Sequence, residues 1–273
     1  LVIVALAKTL HINITWLGWF VAGVVPSVIC LLATPYIIYK MYPPEVKETP
    51  NAKEWANEEL DKMGKMKISE KLMGLIFILT LVLWMLTSFI PAIEATFVAF
   101  LAISLLLITG VLDTKDLLHE TGAWNVLIWL SVLVYMAGQL SELGFIKWFS
   151  SSIGSALHGI SWVWVLAVLM IVYFYAHYFF ASATAHVTAM YAAFVSVAVA
   201  AGAPAMLAAM LLAFTSAFMS STTHYANGPA SVLSSSGYVT QSEWWKMNFI
   251  MGIFYLLVYG IIGTLWMKVI GLW

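Results

Sequence analysis

Residues 180–191 read FASATAHVTAMY, a polar knot inside a long apolar run. Ser182, Thr184, His186 and Thr188 occur here with no Lys, Asp or Glu nearby. Hydrocarbon offers such groups no hydrogen bonds, so a lipid-facing position is costly. They persist at membrane depth where they face a bundle interior or a wet cavity, and there they commonly handle a solute. A second interruption, SSTTHYANGP (220–229), follows about one membrane crossing later. Two interrupted apolar segments converging near the bilayer midplane are the pattern of a secondary transporter. One alternative stays open at the first knot: Ser and Thr can back-bond within a single continuous helix, as is common in membrane spans.

Composition sets the frame for this reading. The 273 residues are 63% hydrophobic and only 9% charged, with a mean hydropathy of +0.95. Soluble domains carry about 25% charged residues. The deficit, together with several apolar runs near span length, predicts an all-α polytopic membrane protein embedded in a lipid bilayer. A net charge of −1 gives no nucleic-acid signal, and all 12 basic residues are lysine. Without arginine, an anion site must use hydroxyls, Asn, His, backbone N–H groups, helix ends or bound cations. The single Cys30 excludes a disulfide framework and a thiolate metal site. LVIVALA (1–7) has neither an initiator Met nor a charged leader. It reads as the tail of a helix, and the chain as a C-terminal fragment of a longer protein.

Along the chain, Trp16–Tyr42 forms the first full span, with aromatic residues at both ends and Pro26 as a kink. Residues 43–71 are a charged linker holding about half of all charges. Ala52, Trp55, Ala56, Leu60 and Met63 share one helical face there. Two readings fit: an amphipathic helix on the membrane surface, or a solvated linker with helical character. Further spans are expected at Leu72–Ile90, Ala92–Leu112 and Trp124–Leu140, with the first two antiparallel. Asp113–Gly122 is a short charged loop and Phe145–Leu157 an interfacial connector. A hairpin near 159–200 has its tip at Ser182–Thr184. Gly202 and Pro204 mark the next turn. A broken helix runs near 205–236, and Trp244–Trp266 is the last span, with Trp244, Trp245 and Trp266 as interface anchors. If the hairpin is re-entrant, the lysine distribution places 43–71 in the cytoplasm and the C-terminus outside.

The candidate chemistry sits at the two interruptions. A helix beginning near Thr184 presents its positive dipole end to a carboxylate, with Ser182 and Thr184 hydroxyls beside it. In the second interruption, Gly228-Pro229 resists regular helix and Asn227 tolerates left-handed backbone. Thr222 and Thr223 supply hydroxyls, and freed carbonyls suit a cation. His186 and His224 are candidate substrate or proton contacts. His177 also lies near the first interruption, whereas His11, His119 and His158 read as loop residues. Neither HExxH, CxxC, GxSxG nor a phosphate loop occurs, so no metal, cofactor or enzymatic role is expected. The rival from another class is an intramembrane enzyme using His177, His186 or His224 with Ser or Asp.

Four segments resemble the divalent anion/sodium symporter superfamily, in its branch of bacterial citrate, succinate and tartrate exchangers and chloroplast 2-oxoglutarate/malate translocators. They are YPPEVKETPNAKEWANEELDKMG (42–64), WNVLIWLSVLVYMAGQLSELGFIKW (124–148), HYFFASATAHVTAMYAAF (177–194) and STTHYANGPASVLSSSGYV (221–239). The resemblance implies one inverted-repeat half with a re-entrant hairpin and a broken transmembrane helix. Residues 1–42 would end a first repeat, 43–71 would link, and 72–273 would form the second. It also implies a dicarboxylate site at Ser182, Ala183, Thr184, Thr222 and Thr223, and a sodium site at Ser182, Thr223, Asn227 and Gly228. Ala183 replaces the symporters' asparagine at the tip and Asn227 stands where a small residue is usual. The first departure favours exchange over sodium coupling.

The expectation is therefore a secondary transporter of di- and tricarboxylates, an antiporter working by elevator-type alternating access. Sodium-coupled symport is the alternative, with Na+ as coupling ion. A homodimer when full length, with spans 16–42 and 72–112 as scaffold, and a bacterial inner-membrane location complete the expectation.

Overall fold

The computed structural model describes residues 2–44, 48, 50–90, 93–121, 123–124, scattered positions between 128 and 148, 159–180, 182–235 and 237–273. The expected span Trp124–Leu140 and the connector Phe145–Leu157, with His158, fall largely or wholly outside these residues. The described chain is helical, and five of its helical segments are long and apolar enough to cross a membrane: Trp16–Met41, Ile68–Leu86, Trp162–Phe179, Ala183–Ala200 and Gln241–Val269. The polytopic all-α expectation holds. Two compact units are present, one of residues 1–14, 19–41 and 128–273, the other of 15–18 and 42–127.

In the smaller unit, α3 (Ala52–Met63) is helical, and Trp55, Leu60 and Met63 stand exposed on it. Both readings of this stretch, a surface helix and a solvated linker with helical character, accommodate this helix. Helices α4 (Ile68–Leu86) and α5 (Ala95–Ile108) form the expected antiparallel pair, with the Trp84 indole donating to the Ala95 carbonyl at 3.1 Å. α4 ends at Leu86, a turn earlier than the Ile90 expected from the apolar run. The short helix α6 (Thr114–His119) replaces the expected loop. Asp113 and Asp116 cap it reciprocally at 2.8 and 2.9 Å, a capping box that apolar periodicity does not report.

The larger unit contains α1 (Val2–Thr9), α2 (Trp16–Met41) from Trp19 onward, α7 (Trp162–Ala176), α8 (Ala183–Ala200), α9 (Ala205–Phe218), α10 (Gly228–Ser235) and a C-terminal run. That run is α11 (Gln241–Leu257), a π-helical turn (Val258–Gly263) and α12 (Thr264–Val269). Its centre is α9, buried at every position from Leu207 to Ser216. Ala208, Ala209 and Ala213 let neighbouring helices approach closely. Buried polar side chains are paired along it: the Tyr191 hydroxyl donates to the Ala209 carbonyl at 2.9 Å, and Tyr173 meets Ser216 at 2.9 Å. α8 packs against α1, α7 and α9. Between α8 and α9 the chain reverses at Gly202, whose φ of +95° suits glycine, and Pro204 precedes the next helix.

Candidate functional site

The first interruption is a true break in the helix. Residues His177–Phe179 tighten into a 3-10 turn, Phe180 is extended, and Ser182 is extended at φ −151°, ψ 125°. Helix α8 then starts at Ala183, with the Ser182 hydroxyl accepting from the Ala185 N–H at 3.3 Å. Thr188 does back-bond to the Thr184 carbonyl at 2.7 Å, but within α8 and not across the knot. The continuous-helix alternative is excluded. Each arm of the resulting pair, Trp162–Phe179 and Ala183–Ala200, is 18 residues long. Ser182 and Thr184 are exposed, and Ala183 is partly so.

The second interruption follows α9. A 3-10 turn at Met219–Ser221 leads into irregular backbone before α10 begins at Gly228. Thr222 and Thr223 are fully buried there. Asn227 holds the break by its side chain: its amide donates to the Ser220 carbonyl at 3.0 Å and its oxygen accepts from the Ala230 N–H at 2.7 Å. Sequence reasoning gave Asn227 a left-handed backbone role. The positive φ angles instead fall on glycines and on His11 among the described residues. Asn227 acts as an N-cap, satisfying an orphan donor of α10.

The two breaks touch, though not through the hydroxyls that motivated them. Tyr225 donates to the Tyr178 carbonyl at 2.8 Å, and the Ala226 backbone lies beside the His177 ring. Among the described residues, no hydrogen bond joins Ser182 or Thr184 to Thr222 or Thr223. His186 is buried on α8, His224 half-buried in the second break. His224 accepts at Nδ1 from the Trp245 indole at 3.1 Å, while Trp244 donates to the Ser221 carbonyl at 3.0 Å. Trp266 donates to the Val21 carbonyl at 2.7 Å. These three tryptophans, read from sequence as interface anchors, hold helices and the break together.

Five buried side-chain atoms lack a hydrogen-bond partner among the described residues: Nε2 of His177, Nε2 of His186, Oη of Tyr178, and Oγ1 of Thr222 and of Thr223. Four belong to the two breaks, and His186 lies one turn into α8 beside the first. Unpaired buried polar groups each cost about 1–3 kcal/mol and are rare, so five of them in or beside the breaks need a cause. Hydroxyls and imidazole N–H groups can all donate, and no ion pair with a lysine or carboxylate reaches them among the described residues. The chemistry suits a hydrogen-bond-accepting anion. No cluster of three or more His, Cys, Asp or Glu side chains with metal-binding geometry occurs among the described residues. Tyr178, Tyr225 and the pairing of His177 escaped the sequence reading. For His177 and Tyr178 the signal was the aromatic run HYFF abutting the knot, and for Tyr225 its place in THYANGP; both read equally as ordinary packing.

The whole chain, residues 1–273, matches the family described as "Sodium:sulfate symporter transmembrane region". It is 46% identical over 272 residues to the "Putative malate transporter YflS" of Bacillus subtilis (strain 168), covering 98% of this chain and 57% of that protein. It is 42% identical to the "Dicarboxylate transporter 1, chloroplastic" of Spinacia oleracea, covering 98% of this chain and 48% of that protein. The "L-tartrate/succinate antiporter" of Escherichia coli (strain K12) is 31% identical, with 99% of this chain and 55% of that protein covered. The chain spans about half the length of the curated relatives it matches.

Proposed function

This chain belongs to the sodium:sulfate symporter transmembrane-region family, and on that footing we propose that it supplies one half of a secondary carrier for di- and tricarboxylates. The carrying observation is that five buried, unpartnered polar atoms lie in or beside two helix breaks that touch through Tyr225 and Tyr178. A carboxylate is the ligand such donors suit. The N-terminus of α8 lies at the same break and adds a positive dipole end. The relatives' printed names, which speak of malate, dicarboxylates and tartrate/succinate, support the substrate class. They also support transport over an enzymatic role.

Antiport is the favoured coupling. Ala183 has no side-chain oxygen to give a sodium ion. Sodium symport remains the second reading, favoured by the family's own description. In the proposed carrier α7 and α8 form a re-entrant hairpin, which moves with α9 and α10 in an elevator cycle. The helices of 16–42 and 72–112 form the scaffold of a homodimer in a bacterial inner membrane, with loop 43–71 cytoplasmic and the C-terminus outside.

The test is uptake of labelled malate, succinate and citrate into proteoliposomes carrying the full-length protein. Vesicles preloaded with unlabelled dicarboxylate are compared with empty vesicles under a sodium gradient. Uptake that depends on internal dicarboxylate is the expected result. Uptake driven by sodium alone reverses the coupling. Unchanged uptake in both Ser182→Ala and Thr184→Ala removes the tip from the site.

A further inference from the structure

His177 and His186 stand on opposite sides of the first break and are both fully buried. Their Nδ1 atoms are 3.0 Å apart, so the two rings close a bridge over the loop between them. A bond between two imidazole Nδ1 atoms admits one proton. One ring must donate and the other accept, which forces opposite tautomers: the donor ring keeps a lone pair on Nε2 and the acceptor ring keeps its proton there. The neutral pair therefore offers one Nε2 donor and one Nε2 acceptor, with no well-formed hydrogen bond to either among the described residues and the Ala226 backbone beside His177.

One further proton has a single natural place, the lone pair on the donor ring's Nε2. The bridge survives, the pair becomes a monocation, and both Nε2 atoms become donors. A second added proton would have to enter the bridge, setting two N–H groups against each other at 3.0 Å. The pair is thus built for one added proton and not two.

We propose that the His177–His186 bridge is a proton-binding site that takes up one proton from solvent when a carboxylate anion occupies the break. The proposal rests on the carboxylate reading above and adds its proton partner. His186 lies one turn into α8, its N–H bonded to the Ser182 carbonyl at 3.1 Å. A charge on the pair sits directly behind the tip. The surroundings supply no fixed charge to compete. Tyr173 from α7 lies 4.5 Å from the His186 ring, Phe180 stacks on it at 4.6 Å, and Phe194 of α8 packs on Tyr173. From the second break come the Ala226 carbonyl beside His177 and Tyr225 bonded at Tyr178, while His224 is engaged with Trp245. The unpartnered Tyr178 hydroxyl follows His177 in the chain. Among the described residues no Lys, Asp or Glu pairs with either ring. With no internal counter-ion, the anion itself makes the added proton favourable, and the proton in turn strengthens anion binding.

The experiment is calorimetric titration of malate, fully ionised above neutral pH, into the full-length protein in detergent. Buffers of differing ionisation enthalpy report protons exchanged per anion bound, between about pH 7 and 8. Uptake of up to one proton per malate is expected, with affinity weakening by at most about tenfold per pH unit as pH rises. In the double variant His177→Asn/His186→Asn the two amides can hydrogen-bond to each other, but no ring is left to take a proton. Its malate binding should be weaker and independent of pH. Malate binding by the wild type without proton uptake overturns the proposal, as does an unaltered proton count in the double variant. Failure of the wild type to bind any di- or tricarboxylate would sink the carrier reading instead. Nitrogen-15 histidine spectra without malate then still decide the bridge: a shared Nδ1 proton supports it, and two independent imidazoles overturn it.

Discussion

The Tyr225 hydroxyl reaches 2.8 Å across to the backbone carbonyl of Tyr178, tying one broken helix to the other. The residues are 47 positions apart in the chain and meet where both helices have lost their regular bonding. A carbonyl freed by a break must find another donor, and Tyr225 is that donor. Tyr225→Phe leaves it unpaired. The expected cost is about 1–2 kcal/mol, read as a lower Tm of the full-length protein, together with reduced carrier activity. An unchanged Tm would mean that the two breaks are held by packing alone.

Thr222 and Thr223 separate a binding role from a structural one. Each hydroxyl is buried without a partner, so Thr222→Val and Thr223→Val remove a cost of about 1–3 kcal/mol and keep side-chain shape. Stability is expected to hold or rise. Dicarboxylate affinity is expected to fall about tenfold if the hydroxyls serve the substrate. Loss of both together, or of neither, contradicts this assignment.

Ser182 has the opposite profile. Its capping bond to the Ala185 N–H is long at 3.3 Å, and the residue is exposed. Ser182→Ala should cost only about 0.5 kcal/mol, the low end for a lost cap. A transport defect much larger than the melting shift is the expected outcome of paired uptake and thermal-denaturation assays.

Two glycines test the packing. A methyl group at Gly252 on α11 would overlap the ring of Phe174 on α7, so Gly252→Ala should destabilise by about 1–3 kcal/mol. Gly74 lies within α4 with open space around it. Gly74→Ala should stabilise by about 0.5–1 kcal/mol through helix propensity. Comparing the two melting temperatures separates crowding from backbone freedom.

Much of this was legible from residue order. Apolar runs marked the spans because lipid forbids unpaired backbone, and the same rule made SAT and THYANGP conspicuous. Helix ends were less legible. The end of α4 at Leu86 and the small helix Thr114–His119 depend on local turn geometry and capping, which hydrophobicity does not encode. Asn227 shows the same limit: its residue type allowed a left-handed turn or a cap, and only the coordinates of Ser220 and Ala230 chose the cap. Trp244 and Trp245 fit an interface belt by position, yet their N–H groups are spent on Ser221 and His224.

The sequence alone determined that this is a helical membrane protein, that two of its helices are interrupted, and which polar residue types stand at the interruptions. These follow from transfer free energies, which belong to each residue wherever it lies. Tertiary structure decided the rest. It put Thr222 and Thr223 inside and left Ser182 and Thr184 outside. It also set His177 against His186 and Tyr225 against Tyr178. Pairing of this kind depends on how separate segments fold back on one another, and a hydrogen bond exists only at a distance and an angle that residue order does not carry.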